Sequence, residues 1–190
     1  MCASFTLLLG IVTRRLDTLA IDASAARLFH GRGVRAAWIF TVTGYSPTLI
    51  VTYVAMFALA LGFHRSIVEL GALATAQVLS QTSVRAIKTY FKRVRPENWL
   101  LKREGQSSFP SGHAATAAVT FAGIVLLLWR SSLPHELKLW ATLPPGIFAV
   151  GIGWSRLALS AHYFTDVLGG YALGAAWLCA TVAVLEAYGV

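Results

Sequence analysis

Long apolar runs, separated by a few short polar blocks, limit what this chain can fold into. Ala36–Phe63, Ile67–Ile87, Ser111–Trp129, Trp140–Leu159 and Thr165–Ala187 are each long enough to approach or reach the roughly 20 residues a helix needs to cross a bilayer. The chain is 56% hydrophobic and only 13% charged, with a mean hydropathy of +0.64, whereas a soluble domain carries about 25% charged residues. A very apolar soluble helical bundle is the weaker alternative. The expected fold is therefore all-α, a polytopic transmembrane helical bundle of about five full spans. Residues 1–35 are expected to form a short apolar segment and an interfacial amphipathic helix, and residues 36–190 the membrane domain.

The run MCASFTLLLGIVTRR is too short to span. It lacks the basic-first order and small-residue cleavage site of a signal peptide, and is expected to be the remnant or the end of a first membrane helix. The apolar residues of Asp17 to Phe29 roughly follow helical spacing, with Asp17, Asp22 and Arg27 among them, which reads as a short interfacial amphipathic helix, and Gly31 and Gly33 end it. A spanning helix is expected to start at Ser46–Pro47, because proline suits a first turn. Gln77, Ser80, Gln81 and Ser83 in the next span should face other helices rather than lipid. Lys88–Phe109 and Arg130–Lys138 are expected as connections, and Pro144–Pro145 as the way into the fourth span. Gly170 and Gly174 form a small-xxx-small pattern that favours close helix packing. Cys2 and Cys179 suggest neither a disulfide framework nor metal-ligand spacing. The net charge of +8 sits beside apolar segments, so membrane headgroups or anionic substrates are the expected partners and nucleic acid is not.

Three polar blocks carry the chemistry: KTYFKRVRP (Lys88 to Pro96), PSGH (Pro110 to His113) and SRLALSAHYFTD (Ser155 to Asp166). Successive spans alternate direction, so all three fall on one membrane face. Lys88 supplies a point charge, and Arg95 a planar fork suited to phosphate oxygens. Lys92 and Arg93 read as helix-end anchors at the headgroups. Ser111 is a natural N-cap, and a helix start with Gly112 beside it also presents backbone N–H groups to an anion. His113 could donate a proton to a leaving oxygen. Arg156 repeats the phosphate-binding logic. His162 and Asp166 are four residues apart, on one face if the last helix begins near His162. A carboxylate on one imidazole nitrogen makes the other more nucleophilic. Singly, each block has a bland reading: anchor, cap or buried brace.

Together the blocks resemble the three signatures of the type 2 phosphatidic acid phosphatase (PAP2) superfamily: Lys-x6-Arg-Pro, Pro-Ser-Gly-His and Ser-Arg-x5-His-x3-Asp, in order and with each motif position met over about residues 36 to 187. The resemblance implies a membrane enzyme that hydrolyses a terminal phosphate from a lipid phosphate or diphosphate, without a cofactor or metal. Lys88, Arg95 and Arg156, helped by Ser111 and Gly112, would bind the phosphate. His162 would attack phosphorus, Asp166 would orient it, and His113 would protonate the leaving group and then activate water.

Among substrates, undecaprenyl diphosphate is favoured by a small margin; phosphatidylglycerophosphate, phosphatidic acid or lipid A, and transfer to another lipid, are the alternatives. The related vanadium haloperoxidases are soluble, which the apolar spans oppose, and a scaffold or transporter with a decayed site predicts motif gaps that are not found. Sidedness sets two arguments against each other. Arg14, Arg15, Arg27, Arg32, Arg35, Arg85, Lys92, Arg93, Lys102 and Arg103 lie on the site face, against Arg65, Arg130 and Lys138 opposite. Positive charge marks the cytoplasmic side, whereas the resemblance implies a site facing the periplasm or outside. The latter is preferred, in the inner (plasma) membrane of a bacterium, because charge near the site attracts anionic substrate.

Overall fold

The computed structural model describes residues 1–16, 19–60, 64–100 and 107–190. Asp17, Lys102 and Arg103, named above for their charge, lie outside that set. The helices are α1 (Cys2–Leu16), α2 (Ala20–Phe29), α3 (Val34–Thr43), α4 (Ser46–Ala60), α5 (His64–Phe91), α6 (Gly112–Arg130), α7 (His135–Ala158) and α8 (Phe164–Ala187). Among the described residues, the one extended pairing is an isolated antiparallel bridge between Val94 and Ser107. The expected all-α architecture is found.

Two helices, α6 and α8, have both the length and the apolar character to cross a membrane. The pair α3–α4 meets the same test as one span bent by 56°. α5 and α7 have the length, at 28 and 24 residues, but are more polar. The bend follows from local chemistry. Pro47 lacks the N–H that would bond the carbonyl of residue 43, Gly44 closes α3 with its N–H on Thr41, and the Thr48 hydroxyl donates to the Val42 carbonyl (2.8 Å). α4 starts at Ser46, as expected.

α7 differs from expectation. It begins at His135, with Pro134 at its N-cap, and runs through Pro144 and Pro145. Proline's preference for a first turn suggested a start there. Instead, His135–Leu143, rich in Leu, Lys, Glu, Trp and Ala, continues the helix N-terminally, and Arg130–Lys138 shrinks to a four-residue link, 131–134.

The centre of the bundle is α6, packed between α7 and α8. α8 approaches it through glycine. A Cβ on Gly170 would lie 2.3 Å from the Ser111 carbonyl oxygen, and one on Gly174 would lie 2.5 Å from that of Ala115. The small-xxx-small pattern is thus a packing device. α1 lies along α8, with the Thr6 hydroxyl on the Gly169 carbonyl (3.3 Å) and Gly10 against Phe91 and Phe109. Gln77 and Gln81 of α5 both donate to the Thr116 hydroxyl of α6 (2.9 Å each), so these amides face another helix, as membrane helices require. α2 reverses at Gly31 and Gly33, both in the left-handed region (φ 70° and 62°) that glycine adopts without strain.

Candidate active site

The three polar blocks meet at one end of the bundle. α5 brings Lys88 in its last turn and stops at Phe91. The next residue, Lys92, takes a positive φ of 50° and turns the chain. This swings Arg93 and Arg95 inward on alternate positions while Lys92 and Val94 stay exposed. Lys88 Nζ donates to the Ser107 carbonyl (2.8 Å), which ties the end of α5 to the residues leading into α6. α6 starts with the Ser111 hydroxyl accepting from the Ala114 N–H (3.4 Å), while the Ser111 N–H donates to the Asp166 carbonyl (2.9 Å). The starts of α6 and α8 are thereby tied together. α7 ends with Arg156, which is 0% exposed and donates from Nη1 to the Thr41 hydroxyl of α3 (2.9 Å).

His162 lies before α8, which begins at Phe164, so the four-residue spacing to Asp166 works across a turn and not along a helix face. Asp166 caps the helix by accepting from the Tyr163 N–H at Oδ2 (2.9 Å). The same oxygen lies 3.5 Å from His162 Nδ1, longer than a formed hydrogen bond. Arg95 Nη1 donates to the Ala161 carbonyl (2.9 Å) and contacts His162 Nε2 at 3.3 Å. A guanidinium can only donate, so Nε2 is the acceptor and the proton of a neutral His162 belongs on Nδ1, facing Asp166. Burial first, then the charges of Lys88, Arg95 and Arg156, hold the His162 pKa well below its ordinary 6.5. The ring is therefore neutral near pH 7, with its lone pair on Nε2 facing Arg95.

A cavity of about 860 Å³ opens onto these groups. Lys88, Arg95, Gly112, His113 and His162 line one end, and Leu49, Ile50, Val54 and Phe57 of α4 face Ala74 and Val78 of α5 along the rest. Ser111, Arg156 and Asp166 stand behind this surface, each 0% exposed. The predicted residues thus converge, but Arg156 acts on the site from beneath its wall, with its charge felt by His162. Among the described residues, no group of three or more His, Cys, Asp or Glu could hold a metal; the groups gathered are cations and imidazoles, a set matched to an anion.

Arg93 corrects the sequence reading. It is a buried bridge between two carboxylates, not a headgroup anchor: Nη1 to Asp166 Oδ1 at 2.6 Å and Nη2 to Asp22 Oδ2 at 2.8 Å. It also donates to the Thr165 hydroxyl (2.7 Å) and lies 4.2 Å from the Tyr163 ring centroid. Burial alone would lower its pKa, but the Asp166 and Asp22 carboxylates outweigh that and raise it. Asp22 also accepts from the Thr165 N–H (2.9 Å), so helix α2 is pinned to the start of α8. The one hint in the sequence was the scarcity of acids. With 8 Asp and Glu in the chain, an aspartate such as Asp22 within a membrane-bound helix calls for a basic partner.

Comparison with known proteins gives the same picture. The family model of the PAP2 superfamily matches residues 69–188. Phosphatidylglycerophosphatase B of Bacillus subtilis (strain 168) is 39% identical over 92 residues, 47% of this chain and 45% of that protein. Lipid A 1-phosphatase of Rhizobium johnstonii is 35% identical over 80 residues, 42% of this chain and 28% of that protein. The matched stretch thus spans less than half the length of these curated relatives. The crystal structure of a transmembrane PAP2-type phosphatidylglycerolphosphate phosphatase from Bacillus subtilis superposes with a TM-score of 0.78 at 26% identity, over 98% of this chain and 94% of that one.

Proposed function

The chain belongs to the PAP2 superfamily, and on that footing we propose that it is an integral membrane phosphatase that removes the terminal phosphate of a lipid phosphate through a phosphohistidine on His162. The observation that carries this reading is the cavity, which puts Lys88, Arg95, His113 and His162 at one end and an apolar wall from α4 and α5 along the rest. One end suits a phosphate, and the other suits an acyl or prenyl chain.

The chemistry follows from the arrangement. The substrate's phosphate oxygens take the donors of Lys88 and Arg95 and the N–H groups at the α6 start, and this draws Arg95 off His162 Nε2. The Nε2 lone pair attacks phosphorus as the bond to the leaving oxygen breaks. With the negative phosphate bound beside it, His113 holds a proton and gives it to that oxygen. His162, now N-phosphorylated, carries a positive charge stabilised by Asp166, whose other oxygen is held by Arg93. His113, now neutral, takes a proton from water, the resulting oxygen attacks phosphorus, and the P–N bond breaks to release orthophosphate. Fixed cations and a helix start stabilise the charge that builds on the phosphoryl oxygens without reorganising.

For the substrate we place phosphatidylglycerophosphate ahead of undecaprenyl diphosphate. Gln77, Gln81 and Thr116 line the cavity beside Gly112 and His113. The amide N–H groups of Gln77 and Gln81 are engaged within the bundle, which leaves Gln81 Oε1 to accept from a glycerol hydroxyl, a group an isoprenoid chain lacks. The similarity to a phosphatidylglycerophosphatase and to a phosphatidylglycerolphosphate phosphatase points the same way. For sidedness we keep the outward-facing site.

Purified protein in detergent, offered each lipid phosphate, should release orthophosphate and trap an acid-labile phosphoryl group. His162→Ala should do neither. A mutant that releases phosphate as fast as the parent would overturn the nucleophile, and a preference for short soluble phosphates over every lipid would overturn the substrate class.

A further inference from the structure

His113 sits against the joint between α3 and α4, which the scheme above leaves unused. At that joint, a Cβ on Gly44 would lie 2.5 Å from His113 Cδ2, 3.4 Å from its Cγ and 3.5 Å from its Nε2. The backbone does not explain the glycine. Its φ of −90° and ψ of −2° are angles that other residues adopt. What the position needs is the absence of a side chain, and the group that fills the space is the imidazole. The next residue, Tyr45, packs its ring edge-on against the same imidazole, with centroids 4.9 Å apart at 81°. Gly44, Tyr45 and His113 all line the cavity. His113 Nε2 is buried and has no hydrogen-bond partner among the described residues. No hydrogen bond from that nitrogen sets the ring's rotation, and Gly44 and Tyr45 pack directly against the ring.

We infer that Gly44 and Tyr45 are positioning residues that aim the His113 imidazole at the leaving oxygen. This deepens the reading above and rests on the acid role of His113. The bend between α3 and α4 thereby gains a purpose, since it delivers a side-chain-free point and an aromatic edge to one ring. A straight helix through residues 43–46 would not present both in this way.

The consequence is a selective one. Positioning an acid matters when the leaving oxygen needs a proton, as an alkoxide does, and matters little when it departs unaided, as 4-nitrophenolate does. The test measures kcat/KM for the parent, Gly44→Ala, Tyr45→Leu and His113→Asn in detergent, on a 1-acylglycerol phosphate and on 4-nitrophenyl phosphate. Gly44→Ala should lose about 10²-fold on the alkyl ester and less than about tenfold on the aryl ester, the low end of what general acid catalysis contributes. In a His113→Asn background it should add no further selectivity. Tyr45→Leu leaves the space at Gly44 intact and should show the same selectivity, so the test survives poor folding of either variant. Equal losses on both esters in the variants that fold, or no loss on either, would overturn the positioning role. A His113→Asn enzyme that slows both esters alike would overturn the acid role itself, which separates the two failures.

Discussion

At His162 the electrostatics have a sign that can be checked. A buried imidazole with its pKa held below 6.5 by burial, Lys88, Arg95 and Arg156 is neutral, as the proposed nucleophile must be, throughout the neutral range. The acid limb of kcat/KM, which reports the free enzyme, should therefore fall below pH 6.5. In Lys88→Met one of the repelling charges is gone, so the limb should move up toward 6.5 even as overall activity drops. The same depressed pKa stabilises the fold above the unfolded-state value, and that contribution is lost as pH falls through the folded one. Arg93 calls for a different measurement. Removing it leaves the Asp22 and Asp166 carboxylates buried and unpaired, which costs about 3–5 kcal/mol in comparable sites. Arg93→Met should lower the thermal midpoint and the rate together, and Asp22→Asn should recover part of the lost stability in that background. At this scale the motif residues were legible because their chemistry is specific to side-chain type. Arg93 was not, because a basic residue just past a helix end has the same composition whether it points to headgroups or turns inward. The positive φ at Lys92 and the aspartate on α2 decide it, and neither shows in the local pattern.

Among the helices, the contact of α6 with α8 is the precise one. Gly170 brings the α8 backbone against the Ser111 carbonyl, and the Ser111 N–H in turn holds the Asp166 carbonyl at 2.9 Å. Ser111 starts α6 behind the cavity wall and Asp166 stands 3.5 Å from His162, so spacing between these helices is also spacing within the candidate site. Gly170→Ala forces a Cβ onto backbone, which cannot swing aside. It should cost about 1–3 kcal/mol, as overpacking does, with a loss of activity. Gly146→Ala, where a Cβ meets nothing within 4 Å, should keep both the midpoint and the rate. Thermal unfolding in detergent and a phosphate-release assay check the pair. The packing role of Gly170 was readable from small residues four apart. The start of α7 was not: proline's preference for a first turn pointed to Pro144, while the helix-forming residues before it and Pro134 at the cap extend the helix to His135. His162 and Asp166 approach to 3.5 Å, but through the connecting turn and not along a helix face, because α8 begins two residues after His162.

On the scale of the whole molecule, alternation of spans correctly gathered the polar blocks at one end, since each block adjoins an apolar run and consecutive helices reverse direction. Which way that end faces is a further matter, since charge bias favours the cytoplasm and family resemblance the outside. A cysteine placed at Ser132, in the link between α6 and α7, with Cys2 and Cys179 replaced by serine, should resist membrane-impermeant label in intact cells if the site faces outward. Ready labelling would reverse the orientation. The cavity also has two kinds of wall. Lys88, Gly112, His113 and His162 come from α5, α6 and the turn before α8, while the apolar face of α4 (Leu49, Ile50, Val54, Phe57) belongs to a helix packed chiefly on α5 and α3. Mutations along that face past the Gly44–Tyr45 joint can reshape the apolar wall while leaving the Lys88, His113 and His162 end undisturbed. On the proposed function, a lineage built on this plan exchanges one lipid for another by drift in a single peripheral helix, and its descendants share a reaction while differing in diet.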